Sequence, residues 1–239
     1  MIKIEKVETM GWDAAIRGMR NPKNSWGRSD SHWCRMNMKV CPDCKNRNKS
    51  ITCIGPNDFD LMMRLRNAGT DHRKFMRMIT VYLDITAPRY WWAEFDTYKV
   101  GTVANSCSTM HKIAAKEFEL SDFSTEHLIQ DWDDPERKIG IVFHDTPKQH
   151  FIETIAFLNR CRAKFLETSD KTYWWQLIQL LPGSYNQKRT VMLNYEVLAN
   201  IYKSRKNHKL DEWREFCHWI ESLPYSELIT GDTEGVEAK

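Results

Sequence analysis

The sequence has little excess charge and no long hydrophobic run. Its 239 residues carry 35 basic and 32 acidic side chains, a formal net charge of +3. A nucleic-acid-binding surface needs a strongly basic footprint, so we expect no nucleic-acid partner, whereas a nucleotide needs only a few local cations. No apolar run approaches the length of a membrane span, and we expect no membrane partner. Residues 1–6 alternate charged and apolar side chains and lack a signal-peptide core, which predicts an edge strand in a cytoplasmic protein.

The sequence also lacks the even cysteine count of a disulfide scaffold. Seven cysteines in a chain of this length predict reduced thiols. Cys34, Cys41, Cys44 and Cys53 could hold zinc in tetrahedral geometry. Only one Cys-x-x-Cys pair is present, which is half of the usual zinc signature, and residues 21–56 otherwise have the polar composition of a loop insertion. We therefore predict no metal site. A structural zinc bound by these four cysteines is the alternative.

The chain has an ordinary globular composition, with 41% hydrophobic and 28% charged residues and without internal repeats. The β-branched alternation of residues 77–86 predicts a strand that ends before Ala87-Pro88. Residues 99–116 and 120–148 have loop compositions. Helical spacing predicts helices at 11–20, from a cap at Asn57 to Gly69, and at 89–98, 149–168, 170–181, 190–204 and 209–222. Helices on both sides of a short β region indicate a single α+β domain.

Three segments carry candidate ligand-binding groups. The first is a predicted helix on which Asn194 and Arg205 fall on nearly the same face, where an amide and a guanidinium can offer donors to a heterocycle or a phosphate. The second is His72, at a helix-to-strand junction. The third is residues 97–112, where hydroxyls, a glycine, Lys99 and Lys112 could bind a phosphate through side chains and backbone N–H groups. Each segment alone is equally consistent with a solvated surface or a packed helix edge.

The order and spacing of these segments resemble the flavin-dependent thymidylate synthases. That family has a histidine ahead of a central strand ending in Ala-Pro, then a helix leading into an Arg-His-Arg-x-x-Ser motif. A Leu-Pro turn and a helix with two asparagines and a terminal arginine follow. Matching positions are, in chain order, His72, Ala87-Pro88, residues 97–102, Leu181-Pro182, Asn194, Asn200 and Arg205. The resemblance covers residues 70–112 and 177–222 well, and the N-terminal helix loosely.

The sequence departs from the family in its substrate motif. Thr97, Tyr98, Lys99 and Thr102 stand where the family has arginine, histidine, arginine and serine. Cys107 and Thr109 stand where the family places a serine and an arginine for the nucleotide phosphate. The resemblance therefore predicts flavin binding more firmly than it predicts the identity of the nucleotide.

The resemblance implies a single catalytic domain over residues 1–230, with a central antiparallel β-sheet flanked by helices and a flexible tail at 231–239. It implies FAD as cofactor, methylenetetrahydrofolate and NADPH as co-substrates, and a homotetramer with active sites at subunit interfaces. The residues expected to bind FAD are His72, Tyr98, Lys99, Thr102, Asn194 and Asn200. The residues expected to bind the nucleotide are Glu94, Ser106, Cys107, Ser108, Lys112 and Arg205.

The implied reaction moves a one-carbon group from the folate to C5 of a deoxypyrimidine nucleotide, converting dUMP to dTMP. Arg205 is the expected catalytic residue, since it would hold the pyrimidine and stabilise negative charge on its ring oxygen. Cys107 is an alternative nucleophile, although the sequence shows no base near it. Two further functions remain open: hydroxymethylation of dUMP or dCMP, and non-catalytic binding of flavin and nucleotide.

Overall fold

The computed structural model describes residues 2–33, 52–130 and 146–231. The strands are β1 (Lys3–Met10), β2 (His32–Trp33), β3 (Thr52–Cys53), β4 (Thr80–Pro88), β5 (Val103–Ser106) and β6 (Asn186–Asn194). The helices are α1 (Trp12–Arg20), α2 (Pro56–Asn67), α3 (Arg89–Phe95), α4 (Thr109–Lys112), α5 (Pro147–Thr168), α6 (Lys171–Gln179), α7 (Tyr195–Arg205), α8 (Asp211–Glu221) and α9 (Glu227–Thr230). Short 3-10 turns occupy Asn21–Lys23, Trp26–Arg28, Arg73–Met78 and Leu120–Asp122.

The main sheet has four antiparallel strands in the order β1-β4-β6-β5. In β4 the side chains of Val81, Leu83 and Ile85 are buried while Tyr82 is exposed, the period of two that the sequence predicted for this strand. Strand β1 lies at the edge of the sheet, as predicted. A second small sheet pairs β2 with β3 in antiparallel register, with His32 opposite Cys53.

The α+β class with a central antiparallel sheet flanked by helices is confirmed. The chain divides into two compact units. The first unit comprises Thr86–Glu94 and Ser106–Arg189, and the second comprises Ile2–Ile85, Phe95–Asn105 and Thr190–Lys239. The assignment of residues 1–230 to a single catalytic domain stays a prediction. In the part of the chain that the structure describes, no helix is long and apolar enough to span a membrane.

Each unit has its own hydrophobic core. In the first unit the core joins the loop after α4 to helices α5 and α6, and it consists of Ile113, Phe118, Phe123, Ile155, Leu158, Cys161, Leu177 and Leu181. In the second unit, α1, the turn Arg73–Met78 with the residue after it, α7 and α8 bury large side chains that include Trp12, Phe75, Ile79, Leu198, Ile201, Trp213 and Phe216. Burial at these positions supplies most of the free energy that holds each unit together.

A buried carboxylate fixes the segment that follows α1. Asp58, on α2, accepts hydrogen bonds from Arg20 Nε (2.6 Å), Ser29 Oγ (2.6 Å), Ser31 Oγ (2.6 Å) and the backbone N–H of Asp30 (3.2 Å). Burial by itself would raise the pKa of Asp58, but the hydrogen bonds from Ser29, Ser31 and Arg20 hold that pKa below its ordinary value. The described part of the predicted loop insertion is therefore anchored to the core.

The structure corrects several local predictions. Strand β4 runs through Pro88, so Ala87-Pro88 does not end it. Residues 186–194 form strand β6, so the helix predicted at 190–204 begins only at Tyr195. Gly55 is the cap of α2, and Asn57 lies within its first turn. Residues 99–116, predicted as loop, contain β5 and α4. Strand β6 was missed because its first half is polar and its second half continues smoothly into the apolar pattern of α7.

Some predictions fall on residues outside the described ranges. Cys34, Cys41 and Cys44 lie there, as does nearly all of the predicted tail, whereas Cys53 is described and buried. The question of a zinc site at these cysteines therefore stays a prediction.

Candidate functional site

Helix α7 begins at a capped strand end. Asn194 is the N-cap, with φ −128° and ψ 168°, and its Oδ1 accepts from the backbone N–H of Val197 at 3.0 Å. This cap satisfies one of the free N–H groups of the first helical turn. The predicted helical face shared by Asn194 and Arg205 is thus wrong, because Asn194 has extended backbone. The two residues instead mark opposite ends of α7.

A tight turn brings residues 97–102, which stand where the family has its Arg-His-Arg-x-x-Ser motif, against the start of α7. The backbone N–H of Thr102 donates to Lys99 O at 3.2 Å, and Gly101 has φ +81°. A turn with positive φ at its third position favours glycine there. A Cβ at Gly101 would lie 2.9 Å from Asn194 Nδ2, so this glycine also permits the close approach of the amide. Val100, at the tip, is 93% exposed.

Arg205 ends α7 inside a small aromatic cluster. We use "Arg205 cluster" for Tyr98, Arg205, His208 and Trp213. Arg205 Nε donates to Tyr98 Oη at 2.9 Å, and its guanidinium carbon lies 4.8 Å from the ring centroid of Trp213. Trp213 is fully buried and stacks on Phe95, with centroids 6.4 Å apart and an interplanar angle of 18°. The guanidinium therefore rests on a ring that the core holds in place.

The middle of α7 is tied to the turn that carries His72. Arg73, the next residue after His72, donates from Nε to Glu196 Oε1 at 3.2 Å and from Nη2 to Asn200 Oδ1 at 3.2 Å. Arg77 adds a 2.6 Å contact to the other oxygen of Glu196, which is buried. The structure thus links His72 and Asn200 through one arginine, and Asn200 retains its NH₂ group as a donor.

His72 itself is exposed and lines a cleft within the second unit. The cleft has a volume of about 1320 Å³ and is bordered by α1, the segment after it, and α2. Its lining contains more basic than acidic side chains, among them Lys23, Arg28, Arg64 and Lys74. Such a cleft has the size and the charge to take a large anionic ligand.

Thr102 has a buried hydroxyl that no described residue satisfies. Its Oγ1 has no hydrogen-bond partner among the residues that the structure describes, although the residue as a whole is only half buried. An unsatisfied buried hydroxyl costs about 1–3 kcal/mol, and such groups commonly await a ligand or a water molecule. A hydroxyl, an imidazole and an amide, the groups of Thr102, His72 and Asn200, are each suited to the polar edge atoms of a heterocyclic cofactor.

The predicted phosphate-binding residues lie in an exposed segment of the first unit. Ser106, Cys107, Ser108 and Lys112 are all exposed. Two of their backbone donors are used within the fold: Cys107 N–H donates to Lys188 O at 3.0 Å, and Lys112 N–H donates to Ser108 O at 3.1 Å. The hydroxyl of Ser108 caps α4 by accepting from the N–H of residue 111 at 3.2 Å. The exposed side chains of this segment are the groups that a phosphate could reach most directly.

Gln187 holds this segment to strand β6. Its Nε2 donates to Cys107 O at 2.9 Å and lies 3.2 Å from Thr109 Oγ1, while its Oε1 accepts from Arg189 Nε at 3.0 Å. The guanidinium of Arg189 lies over the ring of the buried Trp92 at 4.2 Å. Glu94, the remaining predicted nucleotide contact, is half buried in the last turn of α3.

The predicted site residues thus fall into two groups. Helix α7 gathers Tyr98, Asn194, Asn200, Arg205 and the His72 turn within the second unit. Glu94, Ser106, Cys107, Ser108 and Lys112 belong to the first unit. The sequence did not reveal the supporting residues Gln187, Arg189, Glu196 and Trp213. Trp213 is one of ten tryptophans, and no pattern distinguishes those that lie under an arginine.

The fold is that of the flavin-dependent thymidylate synthases and a related nucleotide methylase. No protein-family model and no curated protein sequence matches the chain. Solved structures, however, match over nearly its whole length.

Two of these structures are of the flavin-dependent thymidylate synthase ThyX from Helicobacter pylori with FAD and dUMP. One is 18% identical over 97% of this chain and 98% of its own, with a TM-score of 0.63. The other is 16% identical over 96% and 98%, with a TM-score of 0.62. A UMP/dUMP methylase, PolB from Streptomyces cacaoi bound with 5-Br UMP, is 12% identical over 97% and 94%, with a TM-score of 0.58. The resemblance stated from the sequence is confirmed as a likeness of fold.

Proposed function

We propose that this protein is a flavin-dependent enzyme that transfers a one-carbon group from methylenetetrahydrofolate to C5 of a pyrimidine nucleotide, with dUMP to dTMP as the reaction. The observation that carries the proposal is Arg205, an arginine fixed against the buried Trp213 at the end of α7. A fold alone can serve many functions, so the proposal depends on this site and on the residues that α7 gathers around it.

The residues present fit FAD. His72 lines a cleft of suitable size, Asn200 retains an amide donor, and the buried hydroxyl of Thr102 lacks a partner among the described residues. These groups, with Lys99 and Asn194, would hold the flavin, whose reduced form supplies the reducing equivalents for the reaction. NADPH is the proposed reductant. Positioning and electrostatics are the protein's usual part in cofactor chemistry.

Arg205 would bind and polarise the pyrimidine. A planar guanidinium can donate a charge-assisted hydrogen bond to a carbonyl oxygen of a uracil ring. Because charge builds up on such an oxygen when C5 acts as a nucleophile, a cation already in position stabilises the transition state more than the ground state. The apolar ring of Trp213 beneath the guanidinium strengthens that interaction by excluding water.

The nucleotide phosphate would contact Lys112, with the hydroxyls of Ser106 and Ser108 and the thiol of Cys107 near it. This assignment depends on the exposure of these side chains. Glu94 would contact another part of the nucleotide. In the proposed reaction Cys107 is not a nucleophile. The proposed assembly is a homotetramer, as the resemblance implies.

The first experiment is the absorption spectrum of the purified protein, followed by titration with dUMP, dCMP and UMP in the presence of FAD. We expect flavin bands and a dUMP-dependent change in them. A protein that shows no flavin bands and does not quench FAD fluorescence on titration would contradict the proposal. UMP belongs in the titration because one of the similar structures is a UMP/dUMP methylase.

The second experiment separates methylation from its alternatives. Purified protein is supplied with FAD, NADPH, methylenetetrahydrofolate and dUMP, and the mass of the nucleotide product is measured by mass spectrometry. A methylated product and rescue of a thymidine auxotroph support the proposal. A hydroxymethylated product would indicate the sister reaction, and flavin binding without turnover would indicate a binding protein.

A further inference from the structure

Tyr98 makes a direct hydrogen bond to Arg205. Its Oη accepts from Arg205 Nε at 2.9 Å, and its ring meets Trp213 edge-on, with centroids 6.0 Å apart and an interplanar angle of 66°. The guanidinium carbon lies 5.7 Å from the Tyr98 ring centroid and 4.8 Å from that of Trp213. Tyr98 is thus held by the same buried ring that supports Arg205.

Two other neighbours of Arg205, Trp213 and His208, constrain its direction less than this hydrogen bond does. Attraction to the face of Trp213 fixes the height of the guanidinium above the ring but allows it to rotate in its own plane. His208 Nε2 lies 2.9 Å from Arg205 Nη1, but His208 Nδ1 also lies 3.2 Å from the backbone N–H of Leu210. A neutral imidazole has a single acceptor nitrogen, so only one of these two contacts can be a hydrogen bond at a time.

Tyr98 has no such conflict. A phenol oxygen accepts readily from a guanidinium N–H, and Nε is the one nitrogen whose direction sets the plane of the whole group. A hydrogen bond at Nε therefore fixes the orientation of the Nη1–Nη2 edge, where a planar ligand would be bound. An arginine that is already oriented loses less side-chain entropy when it binds.

We propose that Tyr98 is a positioning residue for Arg205, acting on the pyrimidine nucleotide through that arginine and not by contact with the flavin. The proposal rests on the proposed function, because it assigns Arg205 to the nucleotide. It revises the expectation that the resemblance gave for Tyr98, and it assigns a role to the tyrosine that stands where the family motif has histidine. The rewritten motif thereby compensates in part for the arginines that it lacks.

The test is Tyr98→Phe, which removes the hydroxyl and keeps the ring against Trp213. We expect the dissociation constant for dUMP, measured by flavin difference spectra, to rise about tenfold, as for the loss of a hydrogen bond to a charged group. The dissociation constant for FAD should stay at the wild-type value. Because a titration reports the folded, flavin-loaded molecules, a loss of active fraction cannot imitate this result.

Tyr202→Phe is the matched control. Tyr202 lies on the same helix, and its hydroxyl donates to Glu221 Oε1 at 2.8 Å. The control should bind dUMP and FAD as the wild type does. If it weakens dUMP binding as much as Tyr98→Phe, the effect comes from a general loosening of α7 and the proposal is wrong.

A double-mutant cycle with Arg205→Lys gives the deciding comparison. If Tyr98 acts through Arg205, adding Tyr98→Phe to Arg205→Lys should change dUMP affinity by less than twofold. Additive losses, an unchanged dUMP affinity in Tyr98→Phe, or a loss of FAD affinity instead would each overturn the positioning role while leaving the proposed function intact. A wild-type protein that binds FAD but no pyrimidine nucleotide would overturn both.

Discussion

The Arg205 cluster and residues 106–112 hold their polar groups in different ways. In the cluster, a guanidinium lies on the fully buried ring of Trp213 and is oriented by a tyrosine hydroxyl. In residues 106–112 the side chains are exposed, and one glutamine, Gln187, ties the segment to strand β6. The first region is organised before any ligand arrives, whereas the second leaves its side chains in water.

This difference indicates a division of labour in ligand recognition. A half-buried, oriented arginine discriminates between flat heterocycles, because a misplaced acceptor leaves its N–H groups without partners. Exposed hydroxyl and ammonium groups bind a phosphate mainly through charge, which tolerates variation in geometry. We therefore expect substitutions in the two regions to differ in size and in kind, and the predictions below run from the largest expected effect to the smallest.

The largest expected difference is in the alkylation rates of two cysteines, one in the exposed segment and one in the core of the second unit. Cys107 is exposed, whereas Cys217, on α8 within the second unit, is buried, and burial raises the pKa of its thiol to about 12. Since the thiolate is the reactive form, iodoacetamide at pH 8 should modify Cys107 faster than Cys217 by roughly a thousandfold or more, the protection expected of a core site. Peptide mass spectrometry resolves each cysteine. Similar rates at the two sites would mean that the helix carrying Trp213 opens readily.

Trp213→Ala should cause the largest loss of stability. Removing a fully buried tryptophan costs about 3–5 kcal/mol of unfolding free energy, and it also removes the surface beneath Arg205. Urea unfolding followed by circular dichroism measures the loss. The control is Trp219→Ala, on the same helix but only half buried, which should cost clearly less. Equal losses of unfolding free energy in the two variants would show that Trp213 stabilises the protein no more than the half-buried Trp219 does.

Arg205→Lys should impair nucleotide recognition without unfolding the protein. A lysine keeps the charge but not the planar set of donors, and it cannot reproduce the hydrogen bond to Tyr98. We expect dUMP affinity and turnover to fall by about ten- to a hundredfold, as for the loss of a charge-assisted contact, with FAD binding retained. Titration and steady-state rates measure both effects. If this variant binds and turns over dUMP as the wild type does, the assignment of α7 to the substrate site is wrong.

Gln187→Met should have a smaller effect in the exposed region. The substitution keeps the length of the side chain but removes its hydrogen bonds to Cys107, Thr109 and Arg189. Because the freed groups can be hydrated, we expect a loss of about 1 kcal/mol in stability and about fivefold in dUMP affinity. Gln176→Met, on α6 in the same unit, is the control. An effect as large as that of Arg205→Lys would mean that residues 106–112 are as firmly organised as the Arg205 cluster.

Local patterns in the sequence predicted most of the elements and the class of fold. The alternation of residues 77–86 gave β4 because one face of the strand is buried, and helical spacing gave α1, α2, α5, α6 and α8 to within a few residues at most ends. Strand β6 and the cap at Asn194 could not be found in this way. A polar half-strand that leads directly into a helix has no period of its own, so the boundary depends on pairing within the sheet.

The candidate site was only partly predictable for a related reason. The positions of His72, Asn200 and Arg205 followed from spacing, but the contacts that orient them come from residues distant in sequence. The hydrogen bonds of Arg73 to Glu196 and of Arg205 to Tyr98 are long-range contacts. Likewise, no local pattern shows that the backbone donors of residues 107 and 112 are already used within the fold.

Asp58 limits the amino acids that position 58 can accept. Its two oxygens receive hydrogen bonds from Arg20, Ser29, Asp30 and Ser31, and nearly every group around it is a donor. Asparagine has the same shape, yet it would replace one acceptor with an NH₂ group that meets those donors head-on. We expect a library of substitutions selected for folded protein to return aspartate almost alone at position 58, while the exposed neighbour, Asn57, accepts many residues. Position 58 thus carries a strict chemical requirement, because its carboxylate anchors the polar segment that follows α1.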